Sequence, residues 1–342
     1  MEIITLMLLD VSLLLLALVV ILISSELFTN GIEWLGQRLN LSEGVVGSVL
    51  AAVGTALPET LIPFVAVIFF GSKYGHDVGI GAIAGAPFML STLTLAVCGT
   101  SMWLYARKGR RKPELSINKV VISRDLRFFI VAFSLALLAT LAADVAPVRW
   151  IIALGLLSMY PLYLFKTLRH EGEVGEEPEQ LHLDRIFRRG SHKLQLIGPQ
   201  VLLGLSGIVG GAFLFVDNVH DLAIGLGLPT VILSLIIAPI ATELPEKINS
   251  VLWARNGKDT LALGNITGAL VFQSCFPVAF GVAFTSWRLS VGTVGTTVIA
   301  IISALVYLRL IEKGSLRPVH LMQGAIVYVL TICCLLVSNN GH

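Results

Sequence analysis

The chain has 342 residues, 55% of them hydrophobic and only 13% charged, with a formal net charge of +2. Soluble domains carry about 25% charged residues, so this composition excludes an ordinary soluble globule. The lack of a basic stripe with interleaved aromatics excludes a nucleic-acid partner. A mean hydropathy of +0.85 requires lipid around most of the chain, and in lipid only helices and closed barrels satisfy the backbone. The apolar runs are long and continuous rather than alternating, so the expected class is an all-α polytopic membrane protein.

Ten spans are expected, with ragged ends, at about 8–36, 43–70, 77–105, 125–143, 147–166, 196–218, 227–254, 259–285, 290–310 and 319–338. The opening "MEIITLMLLD" lacks a basic start and a small-residue cleavage site, so it reads as the beginning of an uncleaved first helix. The second, third, seventh and eighth spans carry internal Gly or Pro, and these are expected to be broken. Cys98, Cys275, Cys333 and Cys334 fall within apolar spans without metal-type spacing and read as small hydrophobes. The 167–195 stretch mixes both charge signs with Gly and Pro and reads as a solvated linker, with a short surface helix around Leu181–Phe187. It divides the chain into 1–166, the linker, and 196–342, each flanking part holding five spans.

Orientation follows from Lys and Arg. The 107–127 connection holds eight of them and 166–193 holds six; with Arg38, Arg255, Lys258, Arg309, Lys313 and Arg317 they make 20 on one face. Lys73, Arg149 and Arg288 stand on the other, so both termini are expected outside. The compartment expected is a prokaryotic inner membrane.

"VGTALPETLIP" (Val53–Pro63) and "IATELPEKINS" (Ile240–Ser250) align at an offset of 187, matching Thr55 with Thr242, Leu57 with Leu244, Pro58 with Pro245 and Glu59 with Glu246. "GAIAGAP" (Gly81–Pro87) then aligns with "GNITGAL" (Gly264–Leu270) at an offset of 183. Five spans per half is odd, so the second half enters the membrane inverted. The expected architecture is ten transmembrane helices in two inverted-topology five-helix repeats, a plan that serves alternating access to a midplane site on broken helices. Glu59 and Glu246 would then face each other. Two carboxylates 4 Å apart repel by about 4 kcal/mol at an effective dielectric of 20, so they require cations or protons between them. The adjacent prolines free backbone carbonyls that can serve as hard-oxygen ligands.

At these residues the sequence resembles the calcium/cation antiporter superfamily, typified by sodium/calcium exchangers, whose pattern is G-T-S-L-P-E followed by G-N-x-x-G-S-N in each half. The resemblance implies exchange of calcium against sodium, with motif acids Glu59 and Glu246, motif threonines Thr55 and Thr242, and a polar residue of the eighth span, Gln273, among the ligands. It also matches Asn265 to the motif asparagine. Several positions depart from the pattern. The motif serine is Ala56 in one half and Glu243 in the other, and the first-half counterpart of Gln273 is Leu90. With oxygen ligands lost, proton coupling becomes an alternative to sodium coupling. Lys247, one helical turn after Glu243, either occupies a cation position or forms a structural pair. Counting Glu59, Glu243, Glu246 and Lys247 together, the site carries a net charge of −2.

The expected metal-binding set is Thr55, Glu59, Thr242, Glu243, Glu246 and Gln273. No resident cofactor is expected beyond transported calcium, sodium or protons, and the partners are inorganic cations and the bilayer. The leading reading is a secondary antiporter moving calcium or a related divalent cation against sodium or protons. The alternative is an uncoupled, proton-coupled or ion-sensing membrane protein that has lost sodium coupling. With HExxH absent and no nucleophile–base arrangement, an enzyme is not expected.

Overall fold

The computed structural model describes residues 2–38, 56–168, 181–187 and 194–339. Among them every regular element is helical: α1 (Glu2–Arg38); α2 (Leu57–Val65), followed over Ala66–Gly75 by wider turns that break at a kink at Gly71 (φ 58°, ψ −145°); α3 (His76–Met89), widened at Leu90–Thr94 and continuing as α4 (Leu95–Arg107); α5 (Lys119–Leu141); α6 (Ala146–Leu168); α7 (His182–Phe187); α8 (Leu194–Leu226); α9 (Thr230–Thr242); α10 (Leu244–Arg255); α11 (Asp259–Phe284); α12 (Val291–Glu312); and α13 (Pro318–Asn339). Seven helical stretches are long and apolar enough to cross a bilayer, and two shorter apolar helices cover Leu57–Ser72 and Thr230–Ile240. α5 is 23 residues long, but Lys119, Arg124, Asp125 and Arg127 crowd its start. α1, at 37 residues, would extend about 55 Å at 1.5 Å per residue, well beyond a hydrocarbon core of about 30 Å, so it runs tilted or projects past the lipid.

The helix breaks fall only partly where glycine and proline predict them. α9 ends at Thr242 and α10 starts at Leu244, with Pro245 in the first turn where its missing N–H costs nothing. The third span is continuous rather than broken. Its π-widened turn is steadied by Ser91 Oγ (3.2 Å) and Thr92 Oγ1 (2.5 Å), which both donate to the Phe88 carbonyl. The eighth span is one uninterrupted helix despite Gly264, Gly268 and Pro277. Proline is tolerated inside a membrane helix where neighbouring groups re-satisfy the freed carbonyl.

Lipid tails are as apolar as leucine, so helices associate here through close packing and polar contacts rather than through water exclusion. α1 lies along α8, α3 along α9, α11 against α5 and α6, and α4 against α13. Glycines make the closest crossings. A Cβ built on Gly81 would meet the Val231 carbonyl oxygen at 2.4 Å, and one on Gly85 the Leu235 carbonyl oxygen at 2.2 Å. Ser234 Oγ joins the same crossing by donating to the Val78 carbonyl at 2.7 Å. Gly204, Gly207 and Gly211 seat α8 on Phe28, Ser24 and Ile21 of α1 in the same way. The two repeated glycines of the first half are therefore helix-crossing residues.

Polar groups concentrate at the two ends of the bundle. At one end Arg111 forms a bidentate ion pair with Asp259 (2.6 and 2.7 Å), both almost fully buried, and donates to the Ala254 carbonyl. The Ser116 amide donates to the same carboxylate at 2.9 Å, so the 108–118 loop is fastened over the α10–α11 junction. Arg127 pairs with Glu312 near it. At the other end Arg149 donates to the Thr285 carbonyl and Arg288 pairs with Asp144. Trp287, the one described non-glycine residue with positive φ, 46°, is held by its indole N–H donating to Ala136 at 2.8 Å.

α7 confirms a short helix in the linker. Its N-terminal amides dock on α1 and α8: the His182 N–H donates to Asn30 Oδ1 and the Leu183 N–H to Gln200 Oε1. The Gln200 amide nitrogen in turn donates to Leu27 O and Asn30 Oδ1.

Candidate ion-binding site

Glu59 lies in the first turn of α2, behind Pro58, with Pro63 four residues on. Pro63 lacks the N–H that would otherwise bond the Glu59 carbonyl. Glu59 is 6% exposed. Taking an ionised carboxylate out of water costs several kcal/mol after relaxation, so its presence there calls for a compensating charge or proton.

On the second-half side, Thr242 closes α9 and Glu243 stands in the one-residue break before α10. Both are buried, Glu243 completely. The Thr242 hydroxyl donates to Ala238 O on its own helix at 3.2 Å. That bond uses the proton and leaves oxygen lone pairs able to meet a cation. Gln273, 3% exposed, projects from α11, and its Oε1 has no hydrogen-bond partner among the described residues. Such an acceptor costs about 1–3 kcal/mol if left unmade, which fits a group reserved for a ligand. Phe280, two turns beyond Gln273, packs on Phe64 of α2 with ring centroids 5.3 Å apart, so the helices bearing Glu59 and Gln273 are neighbours.

Glu246 occupies the first turn of α10, while its side chain, and Thr55 altogether, lie outside the described residues. Glu59, Thr242, Glu243 and Gln273 are each buried, on α2, the α9–α10 break and α11, and α2 touches both α9 and α11. Asn265 bonds Ser250 Oγ at 3.2 Å and so links α11 to α10.

Two residues join this region that the sequence did not single out. Tyr328 of α13 stacks on Phe88 at 5.2 Å, and its hydroxyl lies within electrostatic range of Glu243. Met89 of α3 receives the Lys247 ammonium: Nζ stands 3.0 Å from Met89 Sδ and 3.4 Å from the Pro239 carbonyl. Met89 and Tyr328 carry no charge and sit 158 and 81 positions from Lys247, so no local pattern announces them.

Other polar groups have local explanations. Glu26 faces His182 of α7 at 3.3 Å. In the stretch "VDNVHD" (Val216–Asp221) of α8, Asp217 accepts from the Tyr74 hydroxyl at 2.5 Å, and His220 stacks on the Tyr74 ring at 4.0 Å while bonding Thr230. Among the described residues no group of three or more His, Cys, Asp or Glu is placed to hold a metal ion. The cation chemistry of the candidate site instead mixes carboxylate, hydroxyl, amide and carbonyl oxygens, the hard donors that suit calcium and sodium.

Comparison with known proteins agrees with this fold. The chain is 25% identical over 303 residues to the membrane protein MJ0091 of Methanocaldococcus jannaschii, covering 88% of this chain and 90% of that one. Its backbone superposes on the H+/Ca2+ exchanger CAX with a TM-score of 0.73 at 16% identity, covering 95% and 82% of the two chains. It superposes on the sodium-calcium exchanger NCX_Mj with a TM-score of 0.58 at 20% identity, covering 96% and 99%. The sequence pattern of the sodium/calcium exchanger protein family matches residues 9–168 and 199–339, and the chain belongs to that family.

Proposed function

We propose that this protein is a secondary active cation antiporter, exchanging calcium or a related divalent cation for sodium or protons by alternating access. The observation that carries the reading is the pair of buried acids at helix starts, Glu59 at α2 and Glu243 at the α9–α10 break. Membrane-buried ionisable groups mark ion pathways, and both lie in the motif that occurs twice, Glu59 as the acid repeated at Glu246 and Glu243 where the first half has Ala56. On this reading the chain forms ten spans in two inverted five-helix repeats, 1–166 and 196–342, joined by the 167–195 linker. Glu59 and Glu246 supply the charge that binds the divalent ion, and Thr55, Thr242, Glu243 and Gln273 complete the oxygen set.

The coupling follows from charge. A net −2 site is neutralised by one divalent ion or by two monovalent ones, but not by both sets together. Mutually exclusive occupancy, with a barrier to moving the empty charged site through lipid, yields exchange. Both sodium and proton gradients are candidates for the driving force, since the proteins sharing this fold bear the names of both kinds of exchanger.

Concentration of Lys and Arg around 107–127 and 166–193 supports both termini outside a prokaryotic inner membrane. No enzymatic chemistry is part of the proposal. The test is calcium uptake into everted vesicles or proteoliposomes under an imposed sodium or pH gradient. Gradient-driven uptake supports antiport, and no driven flux of any divalent ion defeats it. The reading of an uncoupled or ion-sensing protein gains its support from Leu90 and Lys247, which remove ligands, and it predicts calcium flux indifferent to the counter-ion.

A further inference from the structure

The two copies of the acidic motif differ in one paired change. Glu243 and Lys247 stand where the first half has Ala56 and Thr60. In the first half Thr60 Oγ1 donates to the Ala56 carbonyl at 3.0 Å, joining the two positions across one helical turn. In the second half the same turn is closed by the Lys247 N–H donating to the Glu243 carbonyl at 3.2 Å, and it carries an acid four residues before a base, the favourable order for a helical ion pair. The substitution adds a negative and a positive charge together, so the net charge of the motif acids is unaltered.

The location of the ammonium gives the pair its meaning. Lys247 Nζ reaches out of α10 to Met89 Sδ on α3 and to the Pro239 carbonyl beside the α9–α10 break. Met89 precedes Leu90, and Leu90 is the repeat counterpart of Gln273. One side of the site thus offers a buried amide oxygen on α11, while the matching side on α3 offers a thioether, an apolar side chain and a fixed ammonium. The Pro239 carbonyl and a carboxylate one turn back along the chain mark a position that oxygen chemistry would assign to a monovalent cation.

We propose that the Lys247 ammonium is a tethered cation that permanently fills the monovalent-ion position on the α3 side of the site. Glu243 is its counter-charge, and Glu59 and Glu246 are left to set the number of ions moved. Lys247 is therefore a specificity-determining residue: the protein carries one monovalent ion fewer per cycle than a chain lacking this ammonium. The inference rests on the antiporter reading for its transport consequence, but its binding consequence can be read without transport.

The test uses the full-length chain, purified in detergent and reconstituted, with four forms: wild type, Lys247→Met, Lys247→Gln and Lys247→Arg. Sodium binding is read as thermal stabilisation by sodium chloride against choline chloride. Coupling is read as the Hill slope of calcium flux against sodium concentration or pH. Lys247→Met is expected to bind sodium at least tenfold more tightly and to raise the Hill slope by about one. Lys247→Gln is expected to follow Lys247→Met, and Lys247→Arg to keep the wild-type slope, since it alone retains the charge.

A Lys247→Met protein with wild-type sodium stabilisation overturns the proposal, as does a Lys247→Arg protein that behaves like Lys247→Met. Should Lys247→Met fail to accumulate, Lys247→Gln decides in its place: tighter sodium binding supports the tethered cation, and a wild-type response overturns it. If the wild type moves no divalent ion at all while Lys247→Met still gains sodium binding, antiport fails and the tethered cation stands.

Discussion

Replacement of Gly85 by alanine adds one methyl group at the crossing of α3 and α9. Its Cβ would stand 2.2 Å from the Leu235 carbonyl oxygen and 2.9 Å from the Leu235 Cα and carbonyl carbon, all backbone atoms that cannot rotate away. Ordinary contact begins near 3.4 Å, so the two helices must separate by about 1.2 Å. Alanine favours a helix over glycine by about 1 kcal/mol, but overpacking of this kind costs about 1–3 kcal/mol, and backbone against backbone belongs at the upper end. The net expectation is a loss of about 1–2 kcal/mol. α9 ends at Thr242, two turns beyond Leu235, and leads into Glu243, so the displacement reaches the proposed ion-binding residues. Purified Gly85→Ala is expected to unfold several degrees below wild type and to lose calcium flux tenfold or more. Gly155→Ala is the control, because nothing lies within 4 Å of the added atom on the exposed face of α6; it should be neutral or slightly stabilising. A Gly85→Ala protein with wild-type melting and flux would refute the crossing geometry.

Three further outcomes are expected. Arg111→Met strands the Asp259 carboxylate, 1% exposed, and should destabilise the protein by about 3–5 kcal/mol; adding Asp259→Leu should recover most of that loss in a denaturation series. Glu59→Gln and Glu246→Gln should each abolish divalent-cation binding in calcium titration, and wild-type affinity in both would count against the acidic site. Gln273→Leu should weaken cation binding by 10- to 100-fold, the equivalent of about 1.5–3 kcal/mol for a contact to a charge, yet raise the melting temperature because a buried acceptor is removed. A fall in both would mark the amide as structural.

Much of the fold was legible because lipid narrows the choice of structure. Continuous apolar runs located the helices, and Pro245 beside Glu243 marked the place where α9 gives way to α10. Burial of Glu59, Glu243, Thr242 and Gln273 was likewise expected, since a polar residue inside an apolar run has nowhere else to go in a packed bundle. The misses share a cause. Gly264, Gly268 and Pro277 suggested a broken eighth span, yet α11 is continuous, because what a proline does inside a membrane helix depends on the groups around it rather than on the residue itself. The Arg111–Asp259 clamp and the approach of Lys247 to Met89 join positions 148 and 158 residues apart, and no local pattern records such pairs. Tyr328 was hidden for the same reason, an aromatic side chain in an apolar run until α13 is laid beside α3.

The way the helices choose partners bears on how the protein is made. α1 pairs with α8, α3 with α9, α4 with α13, and α5 with α11 and α12, so the chief companions of these four first-half helices lie beyond residue 193. A nascent chain emerging from the ribosome therefore reaches the membrane with the Gly81–Gly85 groove vacant and must wait for synthesis to run past residue 242 before it closes. Contacts of such long sequence separation assemble slowly. The early product is left as loosely associated hairpins, dependent on the bilayer for protection until the later helices arrive.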